Sequence, residues 1–168
     1  MRPSIRSAFL LFMLGVTTVG CDRVTKEAAV THLEGQPDIE LLDGAVRMTY
    51  AENDGAFLGL GESLPDQIRL PLLVFVNLAL LAVLAWWAFG RPQKLALRAA
   101  VTLIIAGGVG NVIDRVMEDG GRVVDFLVLD AGLVHTGIFN VADVALMLGA
   151  AGMLWAARAS RSRVSTSQ

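Results

Sequence analysis

Residues 70–89, LPLLVFVNLALLAVLAWWAF, run from end to end without a charged side chain. About 20 such residues in a helix match the hydrocarbon thickness of a bilayer, and in lipid only a helix or a closed barrel satisfies its own backbone. This stretch therefore commits the chain to a membrane-spanning helix. Pro71 takes a first-turn position, where a missing N–H costs nothing, and Trp86 and Trp87 mark the far interface. Further apolar runs at residues 5–21, 95–116 and 138–157 have the same character. Mean hydropathy is +0.58, and 18% of the residues are charged, against roughly 25% in soluble domains. The expected fold is a mainly α membrane protein with four transmembrane helices in a single domain, residues 1–157, followed by a basic tail at 158–168.

The charges segregate by connection. Arg2 and Arg6 lead the first run, Arg91, Lys94 and Arg98 fill the link after the second, and the tail is RASRSRVSTSQ. The excursion at residues 22–68 and the connection at 117–137 are acid-rich. The positive-inside rule then puts both termini and the tail in the cytoplasm, and the two acidic connections outside. Within the excursion, Asp43-Gly44 is a type I′ hairpin signal. Val46, Met48 and Tyr50 alternate with Arg47 and Thr49, the period of a strand with one apolar face. A small periplasmic β-sheet is expected, followed by a glycine-rich membrane-surface loop, NDGAFLGLGESLP, whose residues 53–60 form a lid. TVGC resembles a lipoprotein cleavage box ending at Cys21, with Thr18 a poor fit; an uncleaved first helix is the preferred reading.

Residues 107–143 place polar groups where lipid would exclude them. Asn111 and Asp114 lie three apart in the third run, and Asn140 and Asp143 three apart in the fourth, so each pair shares a helix face. Asp125, in RVVDF, stands in the connection between them. Ionisable groups at membrane depth are functional suspects by default. Two carboxylates brought close cannot both ionise cheaply, which is the basis of the aspartic-peptidase dyad. Structural explanations compete: Asp114 as an ion pair with Arg115 at a helix end, and Asn140 as a helix cap. Asp143 has no such partner nearby in sequence. Ala106 and Gly110 have the small-xxx-small spacing that admits another helix or a substrate chain.

Other chemistries lack their residues. His32 and His135 are isolated, and neither an H-E-x-x-H nor a G-x-S-x-G pattern occurs. Cys21, the sole cysteine, has no nearby histidine and no disulfide partner. Gly107-Gly108-Val109-Gly110 follows no strand, so it is not a phosphate loop. No basic stripe with interleaved aromatics points to nucleic acid. No metal or cofactor is expected.

The order DRVTK (22–26), NDGAF (53–57), GGVGNVIDR (107–115), VVDF (123–126) and FNVAD (139–143) resembles the lipoprotein signal peptidases, signal peptidase II. The likeness covers nearly the whole chain outside the tail. It implies a bacterial inner-membrane aspartic peptidase; a monomer in contact with membrane lipid is expected. Such an enzyme removes the signal peptide of prolipoproteins just before a diacylglyceryl-modified cysteine. By motif it implies Asp125 and Asp143 as the dyad, with Asn53, Gly55, Asn111, Asp114, Arg115, Asn140, Asp22 and Lys26 binding substrate or supporting the site. The stretch Asn53-Asp54-Gly55-Ala56-Phe57-Leu58-Gly59 departs from the family pattern, its aromatic moved by one place. Two other readings stand beside this one: a small proton- or cation-coupled transporter using the same acids as a relay, and a scaffold lipidated at Cys21.

Overall fold

The computed structural model describes residues 4–55, 64–130, 132 and 135–165. The expected lid lies, beyond Gly55, outside the described residues, as does the displaced aromatic Phe57. Four helices organise the chain: α1 Ile5–Leu33, α2 Asp66–Gly90, α3 Leu95–Met117 and α4 Val141–Ser165. Each contains a stretch long and apolar enough to cross a membrane. Three strands complete the fold, β1 Ile39–Leu41, β2 Val46–Asn53 and β3 Val123–Leu129. They form one antiparallel sheet in the order β1-β2-β3.

Helix α3 is the hub, touching α1, α2 and α4. Its small residues permit this, each toward a different neighbour. A Cβ on Gly107 would run into the Ala142 carbonyl of α4, and one on Gly108 would stand 2.8 Å from Leu81 of α2. On Gly110 it would stand 2.6 Å from the Asp22 carboxylate of α1. Asn77 of α2 faces Gly108, in keeping with an amide at a helix–helix contact.

Four expected boundaries move, the first being the start of α2 at Asp66 instead of 70, which leaves Pro71 inside the helix and not in its first turn. Helix α1 does not end at residue 21 but continues to Leu33, so the non-helical excursion starts at Glu34 rather than 22. The continuation is stable because Asp22 and Lys26 face inward as an i,i+4 ion pair at 2.8 Å, and because Ala29 and Leu33 pack on Val124 and Phe126 of β3. Cys21 is an exposed residue within this unbroken helix. Helix α4 starts at Val141 rather than 138, since the backbone of Phe139 is hydrogen-bonded to β3. The basic tail expected from 158 is helical to Ser165.

At the β1–β2 hairpin, Asp43 and Gly44 have φ of +55° and +86°, and Ala45 N–H donates to Leu42 O at 3.1 Å. Both central residues of the turn are left-handed, as a type I′ turn requires. The third strand is new. Asp125 belongs to VVDFLVL, a strand paired with β2, and not to a loop.

Candidate active site

Strand β3 sets the geometry. Side chains alternate across a strand, so Val124 and Phe126 face the α1 cluster while Asp125 points the other way, toward α3 and α4. Ala51 of β2 pairs with Asp125, and Asn53 pairs with Val123. Asn53 is therefore the diagonal same-face neighbour of Asp125, and its Nδ2 donates to Asp125 Oδ2 at 3.0 Å. Phe139 clips onto the opposite edge: Leu127 N–H donates to Phe139 O, and Phe139 N–H to Leu127 O, both at 2.9 Å. The next residue, Asn140, is thereby delivered to Asp125.

Asn140 is fully buried and works in two directions. Its Nδ2 donates to Asp125 Oδ1 at 2.6 Å. Its Oδ1 accepts the Asp143 N–H at 3.0 Å, while its own N–H donates to Asp143 Oδ2 at 3.3 Å. That reciprocal pair is a capping box at the start of α4. The helix-capping explanation for Asn140 thus holds, and the same side chain joins Asp125 to Asp143. It also places Asp143 in the first turn of α4.

Behind this pair lies a charged cluster from α1 and α3. Asn111 Nδ2 donates to Asp143 Oδ1 at 3.0 Å, and Lys26 Nζ donates to Asn111 Oδ1 at 3.0 Å. Lys26 is 2% exposed and also donates to Asp22 Oδ2 at 2.8 Å. It lies 2.6 Å from Asp114 Oδ2 as an ion pair without hydrogen-bond alignment. Asp114 additionally accepts from Arg23. The expected pairing of Asp114 with Arg115 is replaced by these two bases of α1. Arg115 instead donates to Gly121 O at 3.0 Å and Gly55 O at 2.5 Å, and Gly55 N–H donates to Asn53 Oδ1 at 3.0 Å.

The ten expected site residues therefore enter one connected network. Sequence reasoning passed over Arg23, although it adjoins Asp22 in DRVTK. It also missed Arg122 and Arg69, which donate to Asp54 Oδ1 at 3.1 and 3.5 Å and hold the strand end beside Asn53. Nothing in their spacing signals that role, which depends on the fold.

Burial pushes the Asp125 carboxyl up to about 6, the Asn53 amide opposing this and the Asp143 charge adding to it. A carboxyl so raised keeps its proton into the range where an ordinary one has lost it. A buried aspartate with a raised carboxyl and a half-buried one beside it, both held by fixed amide donors, are equipped for paired acid and base chemistry.

Comparison with known proteins agrees in sequence and in shape. Residues 14–158 match the signal peptidase (SPase) II family. The chain is 36% identical over 149 residues to the lipoprotein signal peptidase of Chlorobium phaeovibrioides, covering 83% of this chain and 84% of that one. It is 35% identical over 153 residues to that of Chlorobaculum tepidum, covering 84% and 89%. A bacterial membrane enzyme solved by the in meso method at 2.3 Å superposes with a TM-score of 0.81 at 27% identity, covering 92% of this chain and 90% of that one. The chain belongs to the signal peptidase II family, the aspartic peptidases that process bacterial lipoproteins.

Proposed function

We propose that this chain is an inner-membrane endopeptidase that cleaves diacylglyceryl-modified prolipoproteins on the N-terminal side of the lipidated cysteine. Asp125 and Asp143 act as its dyad at the periplasmic face. The observation that carries this reading is the bridge through Asn140, which hydrogen-bonds Asp125 and Asp143 together at the mouth of the bundle. Loop charge supports the orientation, since Arg91, Lys94 and Arg98 and the basic C-terminal segment flank the helix ends remote from the sheet with no acid among them.

One carboxylate takes a proton from a water molecule as the water oxygen bonds to the scissile carbonyl carbon. The carbonyl oxygen receives the proton of the other aspartic acid, giving a neutral gem-diol. The first aspartate then passes its proton to the amide nitrogen and the C–N bond breaks. The carbonyl re-forms as the second aspartate recovers a proton from one hydroxyl. The dyad ends as it began, with one proton shared between two groups. Asn53, Asn111 and Asn140 hold both carboxylates by fixed N–H donors, so little reorganisation accompanies these transfers.

Purified protein in detergent or liposomes, given a synthetic diacylglyceryl lipopeptide spanning the cleavage region, should release the signal segment. The same peptide with an unmodified cysteine should be cut far more slowly. No cleavage of the lipidated peptide by folded protein would overturn the proposal.

A further inference from the structure

Three amides surround the two aspartates, and their oxygen ends differ. Asn53 Oδ1 accepts the Gly55 N–H at 3.0 Å, and Asn140 Oδ1 accepts the Asp143 N–H at 3.0 Å. Both partners are neutral. Asn111 Oδ1 instead accepts the Lys26 ammonium at 3.0 Å, with Asn140 Nδ2 as a second donor at 3.4 Å. An ammonium has no acceptor to offer, so the oxygen of Asn111 must face Lys26 and its NH2 edge must face Asp143. A charge-assisted bond at one end of an amide strengthens the N–H at the other. Asp143 is thus linked to a buried cation through one amide, whereas the bonds of Asp125 among the described residues come from Asn53 and Asn140, whose own oxygens accept from neutral N–H groups.

We infer that Lys26 is a positioning residue which, acting through Asn111, makes Asp143 the base that takes the water's proton and leaves Asp125 as the acid. This rests on the dyad reading above and adds the order of the two roles. The net upward push on Asp125, from burial first, agrees with the acid role, although the Lys26 charge itself acts on Asp125 in the opposite direction through space. The other charges nearby do not substitute for Lys26. Among the described residues, Arg115 of α3 acts on both aspartates through space, two of its N–H groups being given to the carbonyls of Gly121 and Gly55. Arg23 of α1 is engaged by Asp114 and Glu118. Asp22 accepts from Lys26, Asp114 pairs with it by charge alone, and the two hold its ammonium in place. Asp22 also accepts the Ala142 N–H of α4.

The decisive variant is Asn111→Asp, which keeps the shape and the contact with Lys26 but replaces the NH2 edge facing Asp143 by oxygen. Turnover at neutral pH should fall about 100-fold or more, with KM within about 3-fold of wild type. Activity should partly return at lower pH, where the new carboxyl is protonated and again donates to Asp143. Lys26→Met should lose turnover likewise, and Lys26→Arg should restore part of it. Because Lys26→Met strips two buried carboxylates of their partner and is prone to misfold, Asn111→Asp carries the test. Wild-type kcat in folded Asn111→Asp, or a loss that does not change with pH, would overturn the inference. Asp143→Asn is run alongside: retained turnover there refutes the dyad itself, while a dead Asp143→Asn beside a fully active Asn111→Asp refutes only the role given to Lys26.

Discussion

Asp22 Oδ1 accepts the Ala142 N–H at 2.8 Å across 120 positions of sequence. A carboxylate on α1 thus satisfies a first-turn amide of α4, where backbone donors have no partner within their own helix. Negative charge is also favoured there by the helix dipole. Because Asp143 lies in the same turn, α1 fixes the segment that bears one of the two aspartates. The close approach depends on Gly110, which leaves room for the Asp22 side chain.

Asp22→Ala should therefore cost more than a surface charge would. It leaves Lys26 short of one partner and the Ala142 amide unsatisfied, with Asp22 itself only 1% exposed. Breaking a buried pair from one side costs about 3–5 kcal/mol. Thermal unfolding in detergent should drop accordingly. Gly110→Ala should also destabilise, although alanine is the better helix former by about 1 kcal/mol. A rise in Tm for Gly110→Ala would show that the contact with Asp22 yields freely.

The raised Asp125 carboxyl makes a prediction about pH. Between about pH 4 and the folded value of about 6, the native protein holds a proton that the unfolded chain has released. Stability then falls as pH rises through this window, by up to about 3 kcal/mol at 1.36 kcal/mol per pH unit. Asp125→Asn has no proton to lose. Its unfolding temperature should decline less between pH 4 and 7 than that of wild type. Equal slopes for the two proteins would mean that Asp125 is not raised by its site.

Topology is tested separately from chemistry. With Cys21 replaced by serine, a cysteine introduced at Asp38 should react with an impermeant reagent added outside sealed cells. One at Gln93 should react only after the membrane is opened. Labelling of the Gln93 position in sealed cells would invert the charge-based orientation.

The long apolar runs made the four helices legible, because lipid leaves so few alternatives. Helix ends were less so. Asp22 read as the end of a span since charge ordinarily marks the interface, yet its charge is neutralised by Lys26 one turn on, and the helix runs past it. Strand β3 was missed although VVDFLVL is rich in β-branched and apolar residues; the acid within it drew attention to chemistry instead of to backbone. The motifs named residues that the fold gathers into one hydrogen-bonded network. That Asp114 pairs with Arg23 and Lys26 rather than with Arg115 was not legible, because it depends on how α1 packs against α3.

That pairing gives the last prediction. Asp114 is fully buried between two bases of α1 and reaches the aspartate pair only through Lys26 and Asn111. Asp125→Asn and Asp143→Asn should each remove nearly all turnover, since an amide neither accepts the water's proton nor returns it. Their combination should cost little more than either alone, because groups acting as a unit fail as a unit. Asp114→Asn should behave differently. It leaves two buried cations undercompensated, so the unfolding temperature should fall while measurable cleavage persists. Substrate binding should survive in all three single variants. If Asp143→Asn turned over normally while folded Asp114→Asn was inactive, the reacting pair would be Asp114 with Asp125, and the bridge through Asn140 would be structural alone.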